Sequence, residues 1–167
     1  MGIIKSLSYA FKVASMRYFY NQATLDKKLV NAVKDTSKDF KLYAEDLEAL
    51  RQAGASPNAK DGNVLEQAVI QGNHWLISTL LSEGANIHIS NEKALRTAMQ
   101  NRQSETAFFL IEKGANPDAA VAYINSMPRS ANTANALQWY NKAKPHIDKI
   151  TTIQRATGKN PPPTHAP

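Results

Sequence analysis

The chain has 167 residues, with 20 Lys and Arg against 14 Asp and Glu, a formal net charge of +6 and no cysteine. We expect one domain that buries about two thirds of its unfolded surface, and the missing thiols exclude a disulfide framework and a thiolate metal site. No apolar run reaches the roughly 18 residues of a membrane-spanning helix, so we expect a cytoplasmic protein, with peripheral membrane association as an alternative.

The first predicted element is an amphipathic helix over residues 1–22. On a helical projection of about 100° per residue, its apolar side chains gather on one face, with Lys5, Ser8, Lys12 and Ser15 opposite. The predicted apolar face consists of Ile3, Ile4, Leu7, Ala10, Phe11, Ala14 and Tyr18.

Two interpretations of this helix remain open. As a terminal cap, it hides its apolar face against the domain behind it. As an interfacial helix, it lies on an anionic membrane, because residues 1–22 contain three cations, several aromatic rings and no acidic residue. The first six residues also fit the minimal myristoylation pattern, with Gly2 as the acylated residue. The membrane-binding residues are then Ile3, Ile4, Lys5, Leu7, Phe11, Lys12, Arg17 and Tyr18.

The central part of the chain follows a 30-residue period. The dipeptide Gly-Ala occurs at residues 54–55, 84–85 and 114–115, at separations of 84 − 54 = 114 − 84 = 30. Each glycine follows an apolar helical run, so we predict that it ends a helix in the left-handed conformation that glycine adopts without penalty. Such a period predicts stacked units that share one core and display an extended surface. Turns are predicted at Asn58, Asn86 and Asn116.

Beyond the third Gly-Ala the pattern loosens. A helix is predicted over residues 118–127, and a closing helix over residues 133–143. Pro145 is expected to end that closing helix or to start a last turn. Residues 151–167 are rich in proline and offer little to bury, so we predict a disordered tail there. The repeat domain is therefore expected to span residues 23–150.

The best-formed repeat carries, in order, Gly62, Leu65, Ala68, Gly72, Leu76, Ile77, Leu80, Leu81, Gly84 and Ala85. This order resembles the ankyrin-repeat family, in a divergent form with short repeats. The family's Thr-Pro-Leu-His tetrapeptide is absent, and Arg102 stands where the next repeat should have its inter-helix glycine. The resemblance implies an all-α, ankyrin-like solenoid of stacked antiparallel helix pairs with N- and C-terminal capping helices. The expected core includes Leu65, Ala68, Leu80, Leu95, Ala98 and Leu110.

The resemblance also implies a function. Ankyrin repeats usually bind another protein through their projecting loops and the exposed face of each first helix, so it implies a non-catalytic protein–protein interaction module. The identity of the partner does not follow from it. By repeat position, the partner-binding residues are Asn58, Lys60, Asp61, Glu66, Gln67, Ile70, His88, Ser90, Asn91, Glu92, Arg96, Thr97 and Gln100.

Motifs for catalysis are missing. The histidines His74, His88, His146 and His165 are isolated in the sequence, and no phosphate-binding loop or nucleophile elbow is found. We therefore predict no enzymatic activity, no cofactor and no metal site. Two alternatives to the protein-binding module stay open: a membrane-recruited regulator or microbial effector, and a basic nucleic-acid-binding protein. The nucleic-acid alternative is weaker because the Lys and Arg residues form no cluster.

Overall fold

A computed structural model describes residues 2–35 and 40–158, with side chains described for residues 8–35 and 44–158. Within these ranges the chain forms nine α-helices and no strand, which confirms the all-α prediction. The rest of the predicted tail, from residue 159, lies outside the described residues. The helices are α1 (Gly2–Phe19), α2 (Gln22–Lys34), α3 (Phe40–Gln52), α4 (Ala59–Ile70), α5 (His74–Ser82), α6 (Ile89–Gln100), α7 (Ser104–Glu112), α8 (Pro117–Ser126) and α9 (Ala131–Thr157).

From α2 onwards, the described helices form four consecutive pairs whose members contact each other: α2 with α3, α4 with α5, α6 with α7, and α8 with α9. The first helices of the pairs also pack in series, α2 on α4, α4 on α6 and α6 on α8. At the two ends, α1 packs on α3, and α9 packs on α6 and α7 as well as on α8. One continuous core results, and it buries all the predicted core positions: Leu65, Ala68, Leu80, Leu95, Ala98 and Leu110.

The three periodic glycines end helices as predicted. Gly54, Gly84 and Gly114 have φ angles of 110°, 91° and 104°, in the left-handed region that favours glycine. After each glycine, the alanine N–H reaches back to a carbonyl five residues earlier; Ala85 donates to the Leu80 carbonyl at 2.9 Å. This 6→1 hydrogen bond satisfies a carbonyl that the helix end leaves unpaired, and it defines the Schellman motif. The 30-residue period is therefore a period of helix ends.

The last helix is longer than predicted. α9 continues through Pro145, and residues 151–157 are helical. Pro145 lacks one backbone N–H, but the side chain of Ile147 is buried in the core beyond it. Further along, the buried Gln154 amide donates to the Ile111 carbonyl at 2.8 Å and thereby holds the last turns of α9 on the end of α7. The helix thus neither ends nor restarts at Pro145, contrary to both predicted alternatives, and residues 151–157, which were predicted to begin a disordered tail, are helical.

Candidate binding surfaces

One side of α1 is fixed to α3. The Lys12 ammonium lies 2.5 Å from an Asp46 carboxylate oxygen, and Arg17 Nε donates to the Gln52 carbonyl at 2.9 Å. Between these polar contacts, Val13 and Met16 pack, partly buried, against the core. The two apolar residues are separated by three positions, so they lie on one face of the helix. α1 is therefore attached as a terminal element of the fold.

The attached side is not the predicted apolar face. Phe11 is 77% exposed and Tyr18 is 84% exposed, and the intervening Ala14 is exposed as well. Phe19, 74% exposed, meets the Tyr18 ring edge to face, with ring centroids 5.1 Å apart. We call this exposed set the outward face: Ala10, Phe11, Ala14, Tyr18 and Phe19.

The capping hypothesis is thus wrong in its detail. α1 does pack on the domain, but through Val13 and Met16, while the described part of the predicted stripe faces outward. Lys12, on the same side as Val13 and Met16, reaches Asp46. Burial, and secondly the negative charge of Glu48, raise the pKa of Tyr9 on that attached side. The remaining candidates Gly2, Ile3, Ile4, Lys5 and Leu7 lie outside the described side chains.

Several residues predicted to bind a partner connect neighbouring helix pairs. The Asn58 amide donates to the Gly84 carbonyl at 3.0 Å and accepts from the Asn86 N–H at 2.6 Å. Asn58 therefore bridges the turn before α4 to the turn before α6. A single asparagine satisfies two backbone groups of the next turn, which is a structural role within the stack.

The pair Glu66 and Thr97 has a similar structural role between α4 and α6. The Thr97 hydroxyl donates to a Glu66 carboxylate oxygen at 3.1 Å, and Lys93 lies 2.7 Å from the other oxygen. Both contacts join the first helices of adjacent pairs. Glu66 and Thr97 therefore already use polar atoms within the chain, and their binding to a partner stays a prediction.

A third group surrounds Glu92, which was predicted to be an exposed loop residue and is in fact buried, with 3% of its surface exposed. His88 Nδ1 lies 2.5 Å from a Glu92 carboxylate oxygen, so the histidine and the carboxylate four residues later form a pair. Sequence reasoning missed this pair, although the i, i+4 spacing was a readable signal. Arg96 donates to the Ser90 and Asn91 carbonyls, each at 2.8 Å. Burial lowers the pKa of Arg96.

The other predicted partner-binding residues stay accessible. Ile70 is the largest apolar member, 45% exposed at the end of α4. Lys60 and Asp61 are exposed at the start of the same helix, and Ser90 and Asn91 at the start of the next. The side chains of Gln67 and Gln100 are half-buried. These accessible positions are polar apart from the one isoleucine.

Three further findings concern metal binding, membrane crossing and similarity to known proteins. In the described part of the chain, no three His, Asp or Glu side chains come close enough to hold a metal ion. None of the described helices combines the length and the apolarity needed to cross a membrane. The chain matches no protein-family model, no curated protein and no solved structure.

Proposed function

We propose that this chain is a non-catalytic interaction module, an ankyrin-like stack, that attaches to an anionic membrane surface through the outward face of α1. The observation that supports the attachment is the exposure of Phe11 and Tyr18 on a helix whose opposite side is already packed. Burying an aromatic side chain of this size is worth roughly 1.5–3 kcal/mol. Contiguous exposed apolar groups on a packed helix are typical of a binding surface.

The cations add less to this attachment. Residues 1–22 contain Lys5, Lys12 and Arg17 and no acidic residue, and each cation close to an anionic bilayer adds about 1 kcal/mol. Lys12 is already paired with Asp46, and Arg17 donates to the Gln52 carbonyl, both on the attached side of α1, so most of the binding free energy must come from ring insertion. Tyr18 suits that depth, since its ring is apolar and its hydroxyl stays at the headgroup level.

The ankyrin-like part of the proposal is supported by the helix pairs and their turns. Gly72 has a φ angle of 63° between α4 and α5, and Arg102 has a φ angle of 58° between α6 and α7. The two pairs thus keep the same left-handed turn although one of them lacks the glycine. Stacked helix pairs of this kind expose an extended surface that other molecules can bind, which agrees with a role in binding.

The test is sedimentation with vesicles. The full chain is mixed with vesicles of phosphatidylcholine and phosphatidylserine, and the Phe11→Ser/Tyr18→Ser variant is compared with it. We expect the variant to lose most of its binding, because about 3–6 kcal/mol of apolar insertion is removed with the two rings. Ile70→Ser is the matched control, since it removes an exposed apolar side chain outside α1 and should bind as the parent does.

The outcome that contradicts attachment through α1 is equal sedimentation of the parent and the double variant. Vesicles of phosphatidylcholine alone provide a second comparison. The parent should bind them more weakly, because its cations then lack an anionic partner. Circular dichroism of all variants checks that helical content is unchanged.

A protein partner at the start and end of α4 is the second candidate. The exposed Ile70 favours it, because it is a large apolar group near the half-buried Gln67. Affinity capture with the full chain tests this: a partner that Ile70→Glu loses, while Phe11→Ser/Tyr18→Ser retains it, binds this surface. A partner retained by both variants argues against it.

A further inference from the structure

We propose that the groove between α7 and α9 binds a nucleotide, a ligand that joins a flat aromatic base to phosphates. The groove has a volume of about 490 Å³ and is lined mainly by Arg102, Ser104, Phe108, Trp139, Lys142 and His146. That volume falls within the range of about 300–1,000 Å³ typical of small-molecule sites. The proposal is independent of α1 and of membrane attachment.

The floor of the groove is aromatic and held in place. The Phe108 ring packs against Trp139, with centroids 5.3 Å apart, and against the edge of His146, with centroids 4.6 Å apart. Trp139 Nε1 donates to the Ser104 hydroxyl at 2.9 Å, so the indole has its hydrogen bond within the protein. Fixed rings lose little conformational entropy on binding, and they offer an apolar surface for a planar base.

The rim is cationic. Arg102 and Lys142 line the groove, and no carboxylate is among the described residues that line it. Arg102 uses one nitrogen to donate to the Asn135 side-chain oxygen at 2.6 Å, which leaves other guanidinium N–H groups for an anion. The Lys142 side chain is exposed at the mouth. Two cations, with no carboxylate among the described residues that line the groove, favour a ligand with more than one negative charge.

Arg102 occupies a costly position. Its backbone φ is 58°, in the region that disfavours a side chain by roughly 1–2 kcal/mol, while the equivalent turn of the preceding pair uses Gly72. Backbone strain of this kind is often retained where a side chain has a function. The adjacent helix α7 begins at Ser104, and its N-cap residue Gln103 makes no side-chain hydrogen bond to the first turn. A helix N-terminus adds a field that favours phosphate.

Side-chain amides complete the match. Gln138 and Asn135 line the groove beside the aromatic floor, and an amide both donates and accepts, as the edge of a base requires. An acidic peptide would use the two cations but would leave the aromatic floor without a flat partner. A nucleotide uses the floor, the amides and the cations together, and it is therefore the ligand that this groove fits best.

The experiment measures fluorescence anisotropy of N-methylanthraniloyl ATP with the full chain at physiological ionic strength. We expect saturable binding that unlabelled ATP displaces at least about tenfold better than adenosine or tripolyphosphate, because each of these carries only half of the recognised features. Arg102→Gly and Lys142→Gln should each weaken binding about fivefold or more, the loss of a charge-assisted contact. Glycine suits the left-handed turn, so the Arg102 variant should keep the fold.

Lys149→Gln is the matched control, an exposed lysine on the same helix that does not line the groove. It should change affinity less than about twofold, because a distant exposed charge is screened by salt. The proposal is overturned if millimolar unlabelled ATP leaves the anisotropy of the labelled ATP unchanged. It is also overturned if Lys149→Gln weakens binding as much as Lys142→Gln, or if tripolyphosphate competes as well as ATP.

Discussion

Two left-handed triplets, residues 60–62 and 90–92, open α4 and α6 with the same backbone and different side chains. In the first triplet the third residue is Gly62, and a Cβ built there would lie 2.2 Å from Ile89 Cγ2. In the second it is Glu92, whose buried carboxylate pairs with His88. The same backbone turn thus accompanies close packing against Ile89 in one pair and a His88–Glu92 contact in the next.

Gly62→Ala should destabilise the protein by about 2–5 kcal/mol, since overpacking costs about 1–3 kcal/mol and left-handed strain about 1–2 kcal/mol. Gly84→Ala is the matched control, because Gly84 also has a positive φ but no atom lies within 4 Å of its added Cβ. The control should lose only the strain contribution. Urea unfolding of both variants measures the difference, and equal losses would show that packing against Ile89 has no part in it.

Tyr140 should make stability depend on pH in the alkaline range. Its hydroxyl donates to an Asp118 carboxylate oxygen at 2.5 Å, and burial together with this bond raises its pKa from 10.0 to about 12. Between these values the folded state keeps a proton that the unfolded state has lost. The contribution of the protonated Tyr140 to the free energy of unfolding is therefore fully present below pH 10 and is lost as the pH rises through about 12.

The measurement for Tyr140 is urea unfolding across that alkaline range, comparing the parent with Tyr140→Phe. The variant should show a flatter loss of stability with rising pH, because it has no phenol to titrate. Tyr18→Phe, at an exposed position, serves as the control and should follow the parent. If the stability of Tyr140→Phe and of the parent fell in parallel with rising pH, the titration of Tyr140 would not contribute to stability.

At the scale of the element, helix ends are the feature that the sequence predicts best. The turn at Gly84 depends on one backbone angle that glycine favours, so a short motif suffices to predict it. The orientation of α1 depends on contacts with α3, which lies more than twenty residues away. A helical projection therefore finds the apolar stripe that contains Phe11 but does not say which stripe packs.

The candidate sites likewise divide into those that local sequence predicts and those that depend on distant contacts. Repeat position correctly indicates that Lys60 is exposed, but it does not reveal that Asn58 bonds to the next turn. It also gives no sign of the groove beside Arg102, because that groove depends on where the long α9 crosses α7. A site formed by one turn can be predicted from the sequence, whereas a site formed between helices can be found only once the packing of those helices is known.

Pro145→Ala should stabilise the protein by about 1–3 kcal/mol, because alanine restores a backbone N–H within α9 and has the higher helix propensity. α9 tolerates the proline through contacts on both sides of it, with Ala143 and Ile147 buried. Lys149→Ala is the control for propensity alone at an exposed position of the same helix, and it should gain only a few tenths of a kcal/mol. Thermal unfolding measures both, and no gain for Pro145→Ala would mean that the backbone there does not relax into a regular helix.

At the scale of the molecule, the packing of the described helices has a centre and two ends. α6 packs on α4, α7, α8 and α9, whereas α2 packs on α3 and α4. A helix that packs on more neighbours stabilises more of the chain, so losing a contact of α6 weakens more of the chain than losing a contact of α2. The outward face of α1 lies at one end, and the groove of α9 lies at the other.

Leu95→Ala in α6 and Leu29→Ala in α2 test this arrangement, because both side chains are buried and each truncation should cost about 2–5 kcal/mol. Hydrogen exchange followed by mass spectrometry measures the loss of backbone protection in each helix. We expect Leu95→Ala to raise exchange in α4 and in α6 to α9, since α6 packs on each of the other four helices. Leu29→Ala should raise exchange mainly in α1 to α3 and leave α6 to α9 protected. Uniform loss of protection in both variants would mean that the ends and the centre unfold as one unit.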